Sequence, residues 1–462
     1  MPLSRRHFLG AAAAGAAAWG ASTGARAETP AARPNIVFLF SDDQSVPDLG
    51  CYGNTAIRTP HLDALAAGGI RFDRGYVTSP QCSPSRASIL TGRSPHAVGA
   101  SRLHVNAFPD TDNLPAMLRG AGYHTGALRK VHQGHIQRDF DYYGNHQAPL
   151  AEFFEQRPQD RPFFLWFGSV DPHRDYGPGA LEPPHDPAAV RVPDFLADTP
   201  ETRQDLAYYY DEIGRFDREC GEIVALLEQH GLRENTLIVM SGDNGMPFPR
   251  AKGTLYEPGV RVPLLANWPG VIAPGRSTAA LASLMDLTAT WLDVAGAEIP
   301  EAMESVSLRP LLTGEKETVR DHVFAGRNWH DNWDPMRCVI DGRYKLIYNF
   351  RPEVGYLPSL DILRSPSFQA IAEAARAGTL QEPLTWYEAK TRPHVELYDL
   401  EADPGEWNNL AGAPEHAERI AAMEKALGTW MDETHDFLPP PASSYARPRE
   451  DDTLNGGAVW WE

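Results

Sequence analysis

Ile36-Val37-Phe38-Leu39-Phe40-Ser41-Asp42-Asp43 is the stretch on which the reading of this chain turns. Five consecutive apolar residues are too few for a stable helix. They also show no alternation, which is the pattern of a strand buried on both faces in a parallel sheet. Similar short runs recur at residues 126–128, 163–167, 237–240 and 262–266. Residues 59–67, 112–121, 202–230 and 283–295 carry apolar positions at helical spacing. Strands alternating with helices predict an α/β fold: a large mixed, mostly parallel sheet flanked by helices. The pattern changes after Trp333. Residues 337–340 and 343–349 flank Asp341-Gly342, the signal of a β-hairpin. Residues 395–400 read as another strand and 414–429 as a closing helix. We therefore expect a catalytic domain over residues 28–333 and a smaller antiparallel α+β subdomain over 334–462, with Pro439-Pro440-Pro441 and the polar tail on the surface.

In open α/β sheets, ligands bind beyond the carboxyl ends of the strands. Asp42 and Asp43 follow the first apolar run, and Lys130 and His132 follow the run at 126–128. Asp171 and His173 come after the run at 163–167, and Asp243 and Asn244 after the run at 237–240. Singly, an aspartate pair after a strand is commonly a helix cap and a lone histidine a surface or core residue. Four strands ending alike rarely arise from capping alone. Three carboxylates and an amide oxygen are hard donors that suit Ca²⁺ or Mg²⁺ rather than zinc. Without a cation, one of three converging carboxylates would have to take a proton.

Composition sets the outer limits. The 462 residues exceed a typical domain, and 42% hydrophobic, 10% aromatic and 22% charged residues exclude a disordered chain, a collagen repeat and a coiled coil. With 42 Lys+Arg against 61 Asp+Glu the net charge is −19, so nucleic acid and anionic membranes are not expected partners. An anionic substrate would need a local basic pocket. Four cysteines in this length do not make a disulfide framework, and Cys51, Cys220 and Cys338 read as packed thiols. The first 27 residues read as an address: Ser4-Arg5-Arg6-His7-Phe8-Leu9 is a twin-arginine pattern, followed by a short Gly/Ala-rich apolar run and an Ala25-Arg26-Ala27 cleavage site. That run is too short and alanine-rich for a membrane anchor. The expected location is periplasmic or secreted, by twin-arginine export.

The segment Cys82-Ser83-Pro84-Ser85-Arg86-Ala87-Ser88-Ile89-Leu90-Thr91-Gly92-Arg93 matches the sulfatase signature C-x-P-S-R-x-x-x-L-T-G-R without a mismatch. The chain thus resembles the formylglycine-dependent sulfatases of the alkaline-phosphatase superfamily. Thr59-Pro60-His61-Leu62-Asp63-Ala64-Leu65-Ala66, Asp171-Pro172-His173-Arg174, the stretch from Asp243 to Pro249, residues 356–368 and residues 430–436 resemble the heparan N-sulfatase (sulfamidase) branch. Two departures concern the substrate pocket: the segment after Arg174 is shorter than in animal sulfamidases and lacks a cysteine pair, and Lys252 stands where an arginine aligns.

The resemblance implies that a maturation enzyme oxidises Cys82 to formylglycine, whose hydrated aldehyde is the nucleophile. It implies that Asp42, Asp43, Asp243 and Asn244 hold Ca²⁺, with the modified Cys82 completing the shell. Arg86 would orient a diol oxygen, while Lys130 and Lys252 would bind sulfate oxygens. His132 would act as the base that expels sulfate, and His173 as the acid that protonates the leaving atom. Arg174 and His330 are candidate contacts to the sugar or to its carboxylate neighbour. The expected reaction removes N-sulfate from a terminal glucosamine of heparan-type saccharides. The alternatives are an O-sulfatase on sugar or aryl sulfates, a phosphonate or phosphodiester hydrolase of the same superfamily, or a glycan-binding protein without turnover. The expected partners are a sulfated saccharide, the maturation enzyme and, in a homodimer, a second copy.

Overall fold

A computed structural model describes residues 33–105, 112–436 and 438. The signal-peptide expectation and that for the proline-rich tail fall outside the described residues. Fourteen strands are described, in two main sheets and a short pair. In chain order they are β1 (Asn35–Ser41), β2 (Ile70–Phe72), β3 (Gly75–Tyr76), β4 (His124–Arg129), β5 (Tyr142–Gly144), β6 (Phe163–Gly168) and β7 (Thr236–Gly242). The rest are β8 (Leu264–Asn267), β9 (Arg276–Thr278), β10 (Ala282–Ser283), β11 (Val323–Trp329), β12 (Trp333–Ile340), β13 (Tyr344–Asn349) and β14 (Val395–Asp399).

The large sheet has the order β5-β4-β6-β1-β7-β8-β2-β9. β1 lies at its centre, parallel to β6 and to β7, and every residue of β1 is buried. The unbroken apolar run follows from this position. Ile36, Phe38 and Phe40 enter one core with Trp166 and Trp291, whereas Val37 and Leu39 enter the other with Phe167, Ile213 and Phe216. Each such side chain contributes about 1.5–3 kcal/mol by leaving water. Helices cover both faces: Cys82–Thr91 and Asp286–Ala295 supply residues to the first core, and the long Pro200–Gln229 helix to the second.

One strand departs from the expected direction. Residues 262–266 read as a parallel strand, yet β8 pairs antiparallel with both β7 and β2. The connection from β7 contains only the short Glu257–Val260 helix and does not carry the chain back to the amino end of the sheet, so the next strand must run in the reverse direction.

The smaller sheet is antiparallel, in the order β11-β12-β13-β14; Ile340 pairs with Lys345, so the expected hairpin turns about Gly342-Arg343, one position beyond Asp341-Gly342. Its first strand begins at Val323, so it lies on the catalytic side of the boundary expected at 333. The Ala417–Glu433 helix packs Met423, Leu427 and Trp430 against Val339, Leu346 and Leu397 of this sheet.

Candidate active site

The four strands that end in chemical residues are neighbours, in the order β4-β6-β1-β7. Their carboxyl ends are tied together by backbone bonds: Ser169 N donates to Phe40 O (2.8 Å), Asp42 N to Asp171 O (2.8 Å), and Asp243 N to Ser41 O (3.2 Å). Glycine permits this approach at two points. A Cβ on Gly168 would stand 2.0 Å from Lys130 O, and one on Gly245 1.7 Å from Pro258 O. Asp43 (φ 68°) and His132 (φ 63°) adopt the left-handed region, a strain of order 1–3 kcal/mol of the kind that gathers at functional sites.

Asp42, Asp43, Asp243 and Asn244 are fully buried side by side. Asp43 N donates to Asp243 Oδ1 (2.9 Å), and Asn244 Nδ2 donates to Asp43 Oδ1 (2.7 Å). Cys82 is the first residue of the Cys82–Thr91 helix and is itself buried. Ligand atoms of Asp42, Cys82 and Asp243 lie within 4.8 Å of one another. Asp42 Oδ1 and Asn244 Oδ1 are buried without a hydrogen-bond partner. Two orphaned oxygens beside three carboxylates are what a hard divalent cation would satisfy, so the residues present fit such an ion.

Three cations neutralise these acids. Arg86, one turn after Cys82, donates through Nε to Asp243 Oδ2 (2.7 Å) and through a terminal nitrogen to Lys130 O (2.8 Å). Its guanidinium lies over Phe40 at 4.6 Å. Lys130 donates to Asp42 Oδ2. Lys252 Nζ donates to Asp43 Oδ2 (2.7 Å) and to Asp361 Oδ2 (2.9 Å). The local basic pocket expected from the charge argument is therefore present, but each of its cations is held by a carboxylate.

The titrations record the crowding. Burial opposes ionisation of Asp42, yet Lys130 and Arg86 hold its carboxyl below the ordinary range. Burial and the charge of Asp42 push Asp243 up to about 7. Three acids in one cleft thus leave one carrying a proton near neutrality, as the sequence argument required. Burial also pushes the Cys82 thiol up to about 12 despite Lys130 and Lys252. An unmodified Cys82 is then a protonated thiol, the poor nucleophilic form of cysteine.

His132 lies beside Lys130, with its Nδ1 buried and unpartnered and its ring centroid 5.0 Å from that of His104. Burial, Lys130 and Arg86 depress its pKa to about 2, so the ring is neutral across the working range. His173 is partly exposed. Its Nδ1 is 2.5 Å from Arg174 O, and its Nε2 is 3.8 Å from Asp43 Oδ2. His330 is buried, with Nδ1 2.9 Å from Asp331 Oδ2.

Arg174, expected to contact the sugar, is otherwise engaged. Its guanidinium makes two 2.7 Å bonds to Asp205 and a 2.8 Å bond to Pro247 O, sandwiched 4.5 Å from the Tyr176 and Phe248 rings. It braces the loop that carries His173. Asp171 has a similar post: Arg215 donates to both of its oxygens, at 2.7 and 2.5 Å. Cys220 and Cys338 are buried free thiols and Cys51 a half-buried one, as read from sequence.

Sequence reasoning missed Asp361, Asp331 and His104. Asp361 follows no strand, and Ser359-Leu360-Asp361 reads as an ordinary helix start. The available signal was that it lies in residues 356–368, part of the sulfamidase resemblance. His104 (φ 61°) is tied through its backbone N–H to Ser83 Oγ at 2.8 Å.

Two family models match the chain: sulfatase over residues 34–297, and N-sulphoglucosamine sulphohydrolase, C-terminal, over residues 250–375. The chain is similar to the N-sulphoglucosamine sulphohydrolase of Homo sapiens, at 34% identity over 88% of this chain and 91% of that one. It is also similar to arylsulfatase A of Homo sapiens, at 29% identity over 82% and 83% of the two chains. A solved structure in complex with its substrate D-glucosamine-2-N,6-O-disulfate shares the fold, with a TM-score of 0.70 at 21% identity over 89% of this chain and 100% of that one.

Proposed function

The chain belongs to the sulfatase family of hydrolases, and from that premise we propose that it removes the N-linked sulfate from a terminal glucosamine of heparan-type saccharides. The observation that carries the reading is the convergence of Asp42, Cys82 and Asp243 at the start of the signature helix, with the Asp42 and Asn244 oxygens unpartnered beside them. The amine-linked substrate is supported by the C-terminal model, which spans the residues that supply Lys252, His330 and Asp361.

In this reading Cys82, converted to formylglycine, would supply a hydrated aldehyde as nucleophile, and Asp42, Asp43, Asp243 and Asn244 would hold a Ca²⁺ supplying Lewis-acid polarisation of the sulfate. The free N–H groups at the start of the helix add positive potential where the anion is handled. Lys130 and Lys252, the ammonium groups beside Asp42 and Asp43, would bind the sulfate oxygens. Arg86 holds Asp243 in place through its Nε bond. Neutral His132 accepts a proton, and His173 delivers one through Nε2 to the leaving nitrogen.

Sulfate release from N-sulfoglucosamine and from glucosamine 6-sulfate, measured side by side, tests the proposal. Clear turnover of the first and little of the second is expected, and the reverse would establish the alternative O-sulfatase, which shares every nucleophile-site residue and is favoured by the likeness to arylsulfatase A. We also propose twin-arginine export, supported by Ser4 to Leu9 and Ala25-Arg26-Ala27. Replacing Arg5-Arg6 by Lys-Lys should strand the protein in the cytoplasm, and undiminished export of that variant would count against it.

A further inference from the structure

Asp361 comes to the centre from the short Leu360–Leu363 helix and has no part in the cation or nucleophile set. A carboxylate oxygen of Asp361, a ring nitrogen of His173 and a carboxylate oxygen of Asp43 lie within 4.8 Å of one another. One Asp361 oxygen accepts from Lys252 Nζ at 2.9 Å, and the other from Ser359 Oγ and the Ile362 N–H. Burial opposes its ionisation, yet Lys252 holds its carboxyl well below the ordinary range. A fixed, charged carboxylate therefore stands next to the histidine that acts as the acid.

Exposure decides what an incoming group meets there. The Lys252 side chain is 1% exposed and Asp43 is buried, whereas His173 is 33% and Asp361 21% exposed. The ammonium thus lies behind the carboxylate. Asp361 also lines a cavity of about 470 Å³, a size that suits a small ligand. Asp175 and Glu201 line it too, both exposed, and of its two arginines Arg174 is spent on Asp205. A wall of this charge favours a group that becomes positive.

Nitrogen-linked and oxygen-linked sulfates differ in that respect. In both, the sulfuryl group passes to the nucleophile, the electron pair of the broken bond stays with the leaving atom, and His173 supplies that atom with a proton. An amine nitrogen is basic enough to take the proton before its bond to sulfur has broken, and it then carries a positive charge as RNH₂⁺. A sugar oxygen takes the proton late and goes from partial negative charge to neutral. A carboxylate beside the leaving atom lowers the first barrier and not the second.

We infer that Asp361 determines specificity for nitrogen-linked sulfate by stabilising the positive charge that the leaving amine acquires. This rests on the N-sulfate reading above. Lys130, Lys252 and the strand-end carboxylates handle the sulfate, which is the same on any substrate. Asp361 reads the atom to which it is attached.

The test measures Asp361→Asn, which keeps the size of the side chain and removes its charge, on N-sulfoglucosamine and on 4-nitrophenyl sulfate. The loss in kcat should be about 10- to 100-fold greater on N-sulfoglucosamine, the scale of one charge pair a few ångströms apart in a partly screened site. The difference should lie in kcat rather than KM, because the charge appears only as the bond breaks. Asp361→Glu should recover part of it. A second measurement needs no turnover of the sulfamate: glucosamine, protonated at pH 6, and N-acetylglucosamine, which stays neutral, are compared as competitive inhibitors of the aryl reaction. The wild type should bind glucosamine about tenfold more tightly, and Asp361→Asn should erase that preference. Equal kcat losses on the two substrates would mean that Asp361 acts only by holding Lys252, and would overturn the assignment. So would an inhibitor preference that survives Asp361→Asn or, should that variant fail to fold, a wild type with no preference. A wild type that prefers glucosamine yet does not hydrolyse N-sulfoglucosamine would overturn the N-sulfate reading instead, and the inhibitor comparison would still judge the charge of Asp361.

Discussion

His173→Ala separates acid catalysis from sulfate binding. His173 Nδ1 is committed to Arg174 O, which leaves Nε2 to work, and that atom lies 3.8 Å from the Asp43 oxygen to which Lys252 also donates. It is therefore within reach of the centre but is not one of its fixed ion pairs. An amine is a poor leaving group and needs a proton as its bond to sulfur breaks, whereas nitrophenolate leaves unaided. General-acid assistance is worth about 10²–10⁴-fold, or roughly 3–5 kcal/mol of transition-state stabilisation. The His173 side chain is 33% exposed, so its truncation should cost the fold about 1 kcal/mol or less. Steady-state sulfate release should fall by that factor on N-sulfoglucosamine and by far less on 4-nitrophenyl sulfate. Lys252→Ala should instead damage both reactions alike, because both substrates present the same sulfate oxygens. Equal losses in the His173 variant would refute the reasoning and reassign the residue to sulfate binding.

Other outcomes follow from the same geometry. Peptide mass spectrometry of active enzyme should show an aldehyde in place of the Cys82 thiol, and Cys82→Ala should fold but not turn over; an active preparation with an unmodified thiol would falsify the nucleophile. The folded-state carboxyl of Asp243 is raised to about 7, so its contribution is complete below the ordinary carboxylate range and is lost as pH rises towards 7. Calcium-free protein should therefore lose stability between about pH 4 and 7, on the order of a few kcal/mol. Calcium should abolish that loss, as followed by Tm; the lowered Asp42 titrates below this window. Arg337 and Asp436 form a buried pair that ties β12 to the end of the Ala417–Glu433 helix. Asp436→Asn should cost about 3–5 kcal/mol in urea unfolding by leaving the guanidinium unpaired. Its lowered carboxyl means that this stability is present above about pH 4 and fades as pH falls further. A cost below 1 kcal/mol would count against that assignment.

The central strands were legible because burial on both faces leaves no choice of residue: 36–40, 163–167 and 237–240 had to be apolar throughout. Their carboxyl-end residues were legible for a related reason, since a polar cluster directly after such a run has nowhere to go but the end of the sheet. The signature around Cys82 named the chemistry outright. Hydrophobic pattern carries no direction, however, and the reversal of β8 came from where its connection runs. β11 escaped notice because its Gly326, Arg327 and Asn328 break the apolar pattern, although all of them pack in the sheet. Pairings were beyond the sequence altogether. Lys252 meets Asp361 across 109 positions, and Arg174, next to His173, turns instead to Asp205. An ion pair depends on which side chains the fold brings within about 3 Å, and local spacing holds no record of that. The sequence by itself determined the family and the strand ends that gather its polar cluster; the tertiary structure decided which cation each carboxylate holds and which residues from the far part of the chain, such as Asp361, are brought to that cluster.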